Sequence, residues 1–452
     1  MPQTLDRQPD SARLQASDLA PAAFPWGAVV TLAFATTVAM WTVGYVGRLP
    51  FVMAPSALIG VALMACLLSG GFLAGRQTTG GVRAGLVSGA LCSAINLLIL
   101  GSVLADLKGM SAAVGLPGFV VAGALLSGLG AWAAGQVGPP QPRDRADWPG
   151  LFCRVAAVAT LLIMSVGGLV TSHDAGLAVP DWPNSFGTNM FLYPLSKMTG
   201  GVYYEHAHRL FGSLVGLTTV VMAVFLWATE SRKWVRGLAV LAVVLVIAQG
   251  IMGGLRVTGE LTLATDRADL YPQIALAISH GVTAQAFLGL VVALAAFTSP
   301  TWRSTVSVPV PRLGAETVLL GALLLQLILG AILRHLHAGA VFHVTFAAAV
   351  LLLATGVGVR AWSKAEQPVL PRTGRALTLF VWLQVTLGVV ALAAVTLGEQ
   401  AARRGAEPLS WEAAITTSHQ TLGAAVLATA VLVRLWTGRA PASTALPEGT
   451  PA

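Results

Sequence analysis

Eight histidines, His173, His206, His208, His280, His335, His337, His343 and His419, fall at one end of the chain's apolar runs or in the loops beside that end. An ionisable side chain inside a bilayer is costly and marks a functional site by default, so a one-sided layer of imidazoles implies a shared role. Four of them, His208, His280, His343 and His419, open the second helix of successive hairpins. The first helix of each hairpin closes on a related small-residue pattern: SVGGLVTSH from Ser165, QGIMGGLRV from Gln249, QLILGAILRH from Gln326 and QVTLGVVAL from Gln384. Four imidazoles at one depth could supply the axial ligands of two hemes, one ligand from either side of each iron. Zinc would gather its ligands into one tetrahedron with carboxylate or thiolate help and short spacing such as HExxH, which is absent. A proton relay or an ion-coupled transporter also uses buried histidines and repeated hairpins. The repeat by itself leaves heme and transport open. Its glycines, among them Gly212 with Gly216 and Gly250 with Gly254, read as sites of close helix packing.

The elements that must position these residues are membrane helices. A chain of 452 residues with 55% hydrophobic and 10% charged residues has too little polar surface to coat a water-soluble globule of that size. Its apolar runs are about 20 residues long, the length a helix needs to cross a hydrocarbon core of roughly 30 Å. They are apolar throughout, without the alternation a barrel strand requires. The sequence therefore predicts an all-α integral membrane protein of about twelve spans, its last eight forming two pseudo-symmetric four-helix bundles. The net charge of +8 reflects topology and not nucleic acid. Basic residues fall in alternate loops, at Arg76 and Arg83, Arg143 and Arg145, Arg232 and Arg236, Arg303 and Arg312, and Arg360 to Arg375. The positive-inside rule makes that side cytoplasmic. The histidines then lie near the outer face of a bacterial plasma membrane, with both termini cytoplasmic. Cys66, Cys92 and Cys153 sit in or beside apolar runs, where no loop pair exists to form a disulfide.

Punctuation by Pro, Gly and charge divides the chain. Residues 1–24 read as a cytoplasmic tail and 25–137 as a four-helix membrane region without histidine. The stretch GPPQPRDRAD within 138–150 reads as a linker. Residues 151–300 and 301–438 are the two halves of the eight-helix region, and 439–452 a flexible tail.

Local sequence separates the open readings. Glu205 to Arg209 read EHAHR at a helix start, and Gly176 to Pro183 read GLAVPDWP in the preceding loop. GGLVTSHDAG from Gly167, GGLRVTGE from Gly253, SHGVTAQAFLG from Ser279 and SHQTLGA from Ser418 follow in register. Together, over about Leu151 to Trp436, these segments resemble the heme A synthase family, in its class without an outer-loop cysteine pair. The resemblance implies two similar four-helix halves, each able to hold a heme near the outer face. It implies oxidation of the C8 methyl group of heme O to a formyl group, for use in terminal oxidases. His208 and His280 would flank the substrate heme O, and His343 and His419 would ligate a heme b cofactor. His335 or His337 could replace His343, because only a short turn separates the two spans. The second half lacks a PDWP loop, which suits it to the cofactor. The four leading spans lie outside the family pattern and lack the paired DxxxD segments of a fused heme O synthase.

Glu205, three residues before His208 on one helix face, is the candidate catalytic residue, stabilising positive charge at the methyl carbon or accepting a proton. Arg209 and Arg256 are candidates for the heme propionates, since guanidinium forks bind carboxylates bidentately. Asp181 and Trp182 would fix a turn over the substrate. The expected partners are the lipid bilayer, heme O delivered by a heme O synthase, an electron acceptor of unknown identity and a second copy of the chain. Rival readings are a diheme cytochrome passing electrons between quinol and a partner, and a histidine-containing transporter.

Overall fold

The computed structural model describes residues 23–101, 110–259, 271–364, 367, 369–403 and 411–441. Twelve helices among the described residues are long and apolar enough to cross a membrane. The first four are α1 (Trp26–Gly47), α2 (Ser56–Gln77), α3 (Gly81–Ile99) and α4 (Met110–Val137). The next four are α5 (Trp148–Ser172), α6 (Gly200–Thr229), α7 (Lys233–Thr258) and α8 (Tyr271–Phe297). The last four are α9 (Ala315–Leu336), α10 (Ala340–Trp362), α11 (Leu370–Arg403) and α12 (Glu412–Thr437). All but two residues of the expected N-terminal tail lie outside the described residues, as does the C-terminal tail beyond Pro441. Within that second tail, Arg439–Pro441 form a strand that pairs antiparallel with Thr305–Ser307.

Each half closes on itself. Helices α5 to α8 pack in sequence and α8 returns to α5, and α9 to α12 repeat that ring. Antiparallel neighbours packed in this up-and-down order make each half a four-helix bundle. The halves meet along α5 and α8 against α9 and α12, where Arg334 donates to the carbonyl of Thr171 across the junction at 2.8 Å. Phe152, Phe211, Leu214, Met222, Leu226 and Leu294 fill the first core. Leu319, Leu377, Val381 and Trp436 belong to the second. The large apolar residues left exposed, such as Val244, Ile247, Leu352 and Val389, form the lipid-facing surface expected of a spanning bundle.

In the leading bundle, glycines bring backbones together, as membrane helices without a water-driven hydrophobic force require. A Cβ on Gly71 would lie 1.8 Å from the Ser127 carbonyl oxygen, and one on Gly130 2.0 Å from that of Leu68. Thus α2 and α4 touch backbone to backbone. The bundle docks through α1 and α3, with Phe34, Val38, Trp41 and Ile99 sharing the core of the first half. The expected linker is laced to the end of α2. Gln141 N donates to Arg76 O (2.6 Å) and Arg143 N to Gln77 O (3.0 Å), while Arg143 Nε reaches the Gln77 side chain at 2.9 Å.

Candidate functional site

The repeat brings four imidazoles into two facing pairs. The ring centres of His208 on α6 and His280 on α8 lie 6.3 Å apart with planes at 69°. Those of His343 on α10 and His419 on α12 lie 6.5 Å apart at 80°. A metal–imidazole bond of about 2 Å on each side, with about 1 Å from each nitrogen to its ring centre, spans about 6 Å. Both pairs therefore have the spacing of two axial ligands on one iron. The ring opposite His419 is that of His343; His337 instead caps α9 with φ +50°, and His335 occupies the last turn of that helix.

A glycine on the preceding helix admits each ring. A Cβ on Gly167 would fall 2.9 Å from His208 Cε1, and one on Gly330 or Gly388 the same distance from His343 or His419. Gly253 stands 3.7 Å from His280 by the same measure. These glycines hold space for ligand candidates, which corrects the expectation of helix packing here. Around Gly216 and Gly250 nothing lies within 4 Å of an added Cβ, and Gly254 faces Trp182. The contacts also correct the phase of the repeat. Gly167 corresponds to Gly253, Gly330 and Gly388, so Ile163 stands where the other hairpins carry Gln249, Gln326 and Gln384.

The orientation of the His419 ring suits ligation, while at His343 the Gln326 amide nitrogen approaches both ring nitrogens, at 3.2 and 3.5 Å. The Gln384 carbonyl, which can only accept, lies 3.1 Å from His419 Nδ1; the proton is then on Nδ1 and the lone pair on Nε2, the arrangement of a metal-binding imidazole. The Ile163 and Gln249 backbones approach the buried rings of His208 and His280, whose Nδ1 atoms close no hydrogen bond. No cluster of three or more His, Cys, Asp or Glu able to hold a metal occurs among the described residues. The donor set fits two separate bis-imidazole irons better than one zinc tetrahedron.

Over the first pair lies the loop between α5 and α6, and the EHAHR segment is what fixes it. Buried Glu205 accepts from Val179 N at 2.7 Å and pairs with Arg209 Nη2 at 2.6 Å. Arg209 donates to the carbonyls of Val179, Asp181 and Asn184 at 2.9, 2.6 and 3.0 Å. Fully buried His206 meets Ser185 Oγ at 3.1 Å through Nδ1 and packs on Tyr193. Asp181 ties the turn by accepting from Phe186 N (2.7 Å) and Gly187 N (2.8 Å). Although desolvation opposes it, these two amides and the nearby Arg209 hold the Asp181 carboxyl below its ordinary range. Trp182 lies flat on α7 where Gly254 leaves room; a Cβ there would sit 2.5 Å from the indole. The expected turn built on Asp181 and Trp182 is present.

Two expected roles change with this geometry. Glu205 has both carboxylate oxygens engaged in holding the loop, so it positions and does not face an open porphyrin edge. Arg209 is committed to loop carbonyls and to Glu205, so its fork is not offered to a propionate. Arg256 keeps a place from which it can serve a propionate. It is half-buried against Gly176 and within electrostatic reach of Glu205, His208 and His280. The anchoring role of His206 had no signal in the sequence beyond its place inside EHAHR. His173 stacks on Tyr204 at 3.9 Å and bonds the Leu169 carbonyl, away from both pairs.

Comparison with known proteins reaches the first half and the start of the second, ending within α10 ahead of His419. Residues 150–345 match the model of a family described as cytochrome oxidase assembly protein. A heme A synthase of Lysinibacillus sphaericus (strain C3-41) is 34% identical over 118 residues, covering 25% of this chain and 37% of that relative. A heme A synthase of Shouchella clausii (strain KSM-K16) is 31% identical over 101 residues, covering 22% of this chain and 32% of that relative. The matches thus span about a third of the length of these curated relatives. The family match begins where the linker ends, so α1 to α4 lie outside it.

Proposed function

We propose that this chain, whose residues 150–345 match the cytochrome oxidase assembly protein family and resemble heme A synthases, oxidises the C8 methyl group of heme O to a formyl group. The observation that carries the reading is the matched pair of imidazole pairs, 6.3 and 6.5 Å between ring centres, each ring seated on a repeat glycine. His208 and His280 would hold heme O as substrate, and His343 and His419 a resident heme b. The clamped loop covers the first pair, and the turn Leu336–Ala340 gives the second half no counterpart, which favours this division of substrate and cofactor. Heme b, when bound, supplies one-electron redox chemistry, while the protein sets its orientation and surroundings.

The residues of the first half then bind, orient and exclude water. His208 and His280 fix the plane of the substrate ring. Arg256 pairs with a propionate and so selects which methyl group faces the loop. Glu205 and Arg209 hold the backbone from Val179 to Asn184 as a rigid cover, keeping a positioned carboxylate one helical turn from His208. Each methyl group takes up one oxygen atom from water and gives up four protons and four electrons, the electrons leaving to an acceptor outside the chain, and heme O arrives from a heme O synthase. The basic loops support an orientation with the histidine ends at the outer face of a bacterial plasma membrane.

Expression in a host that supplies heme O, followed by chromatography of the extracted hemes, tests the reading. Heme A or its hydroxymethyl precursor is expected, and His208→Ala should abolish both. Retention of two hemes with no change to heme O would favour an electron-carrying diheme cytochrome and overturn the proposal.

A further inference from the structure

At the end of the bundles opposite the histidines lies a cavity of about 590 Å³. From His208 to Thr229, α6 rises about 30 Å, so the cavity sits at the other membrane face. Four separate stretches build it: the linker with Arg145, the α6–α7 turn with Glu230 and Arg232, the turn after α8 with Arg303, and the C-terminal strand with Arg439.

Four arginines and one glutamate line the space. Glu230 pairs with Arg232 at 2.6 Å, and Asp147 with Arg303 at 2.8 Å. Arg145 is held by the Ala23 carbonyl, and Arg439 by Ser307 Oγ, Thr305 and the Trp302 carbonyl. Two guanidinium charges therefore face the cavity with no carboxylate paired to them among the described residues. Burial and the neighbouring Arg232 both push the Arg439 guanidinium down from its ordinary value. An anion there would relieve that repulsion.

The surroundings say what kind of anion fits. Arg439 lies 4.4 Å over the ring of Trp302, and Arg232 5.4 Å over Trp234. Trp234 and Trp227 are themselves exposed, as aromatic residues at a membrane–water interface are. From Trp234, α7 presents Val240, Leu241, Val244 and Ile247 outward in an unbroken apolar track. A basic pocket at headgroup depth that opens onto such a track matches an amphipathic anion and not a freely soluble one.

We propose that this cavity binds the phosphate of an anionic phospholipid headgroup among Arg145, Arg232, Arg303 and Arg439, with the acyl chains lying along the exposed face of α7. The bound headgroup joins the linker, the first half and the C-terminal strand of the second half, so it fastens the two halves and the leading bundle at one point.

The test uses the full-length protein, stripped of lipid in detergent, with unfolding followed by tryptophan emission and lipid retention followed by native mass spectrometry. Phosphatidylglycerol should raise Tm by about 5 °C, whereas phosphatidylcholine and inorganic phosphate at equal concentration should not. Arg145→Gln with Arg439→Gln should remove most of that gain and weaken lipid retention about tenfold, and the double lysine variant should keep most of it. Because Arg439 also anchors the strand, Arg145→Gln alone, which gives up only the Ala23 contact, should lose part of the gain at unchanged lipid-free Tm. A full gain in the glutamine variants, or an equal gain from phosphatidylcholine, overturns the proposal. An equal gain from inorganic phosphate overturns the assignment to lipid.

Discussion

His208 presses against Gly167 so closely that a Cβ on the glycine would fall 2.9 Å from the imidazole Cε1, and the same distance recurs between His343 and Gly330. Overfilling such a contact shifts side chain or backbone at a cost of about 1–3 kcal/mol. Gly167→Ala is expected to tilt His208 and lower heme retention in the first half several-fold, and Gly330→Ala to do so in the second. Gly216→Ala and Gly250→Ala, where an added Cβ meets nothing within 4 Å, should leave heme content unchanged. Heme-to-protein ratios of the four purified variants check this.

Glu205 and Arg209 form an ion pair whose side chains are 5% and 8% exposed. Removing one partner of a buried pair leaves the other charge uncompensated, at about 3–5 kcal/mol. Glu205→Ala should therefore destabilise the protein by that order in reversible unfolding. Glu205→Gln keeps an oxygen for Val179 N but gives up the ion pair with Arg209, so it should retain heme while the loosened loop lowers formyl formation. Full activity in Glu205→Gln would show that the ion pair with Arg209 is not needed to hold the loop for the reaction.

Trp182 rests on α7 only because residue 254 has no side chain. With a Cβ 2.5 Å from the indole, Gly254→Ala should lift the tryptophan and loosen the loop. Limited proteolysis should then cut between Leu177 and Gly187 faster than in the wild type. The heme signal of the second half should stay as it was.

Asp181 gives the loop a pH dependence of defined sign. Its folded-state carboxyl is depressed, so the ordering it contributes is fully present above the ordinary carboxylate range and is lost as pH falls through the folded value. Protection of the loop from an acid-active protease should decline from about pH 4 downward. In Asp181→Asn that decline should vanish, with the loop partly cleavable already at neutral pH.

Twelve spans, the hairpin repeat and the four paired histidines were legible because apolar length and residue type survive in a bare sequence. Rotational phase does not. His206 and His208 are two residues apart, about 200° around a helix, so one faces Ser185 and the other His280; EHAHR reads alike for either assignment. In the sequence Glu205 and Arg209 point to a porphyrin, because their loop partners are backbone groups of Val179, Asp181 and Asn184, which have no sequence signature. The glycines of the repeat were read as helix contacts for the same reason. A missing side chain does not disclose whether a helix or an imidazole takes the space. Ile163 in place of the repeat glutamine shows only when the register is set by the contact of Gly167 with His208.

The proposed chemistry depends on two pairs of imidazoles each taking one porphyrin iron. The direct measurement is the visible spectrum of the protein purified after heme-replete growth, compared with His343→Ala and His280→Ala. Low-spin, six-coordinate heme bands are expected in the wild type, with His343→Ala losing the resident heme b component and His280→Ala losing only the other. A colourless wild type, or a spectrum that neither substitution changes, would contradict the pairing.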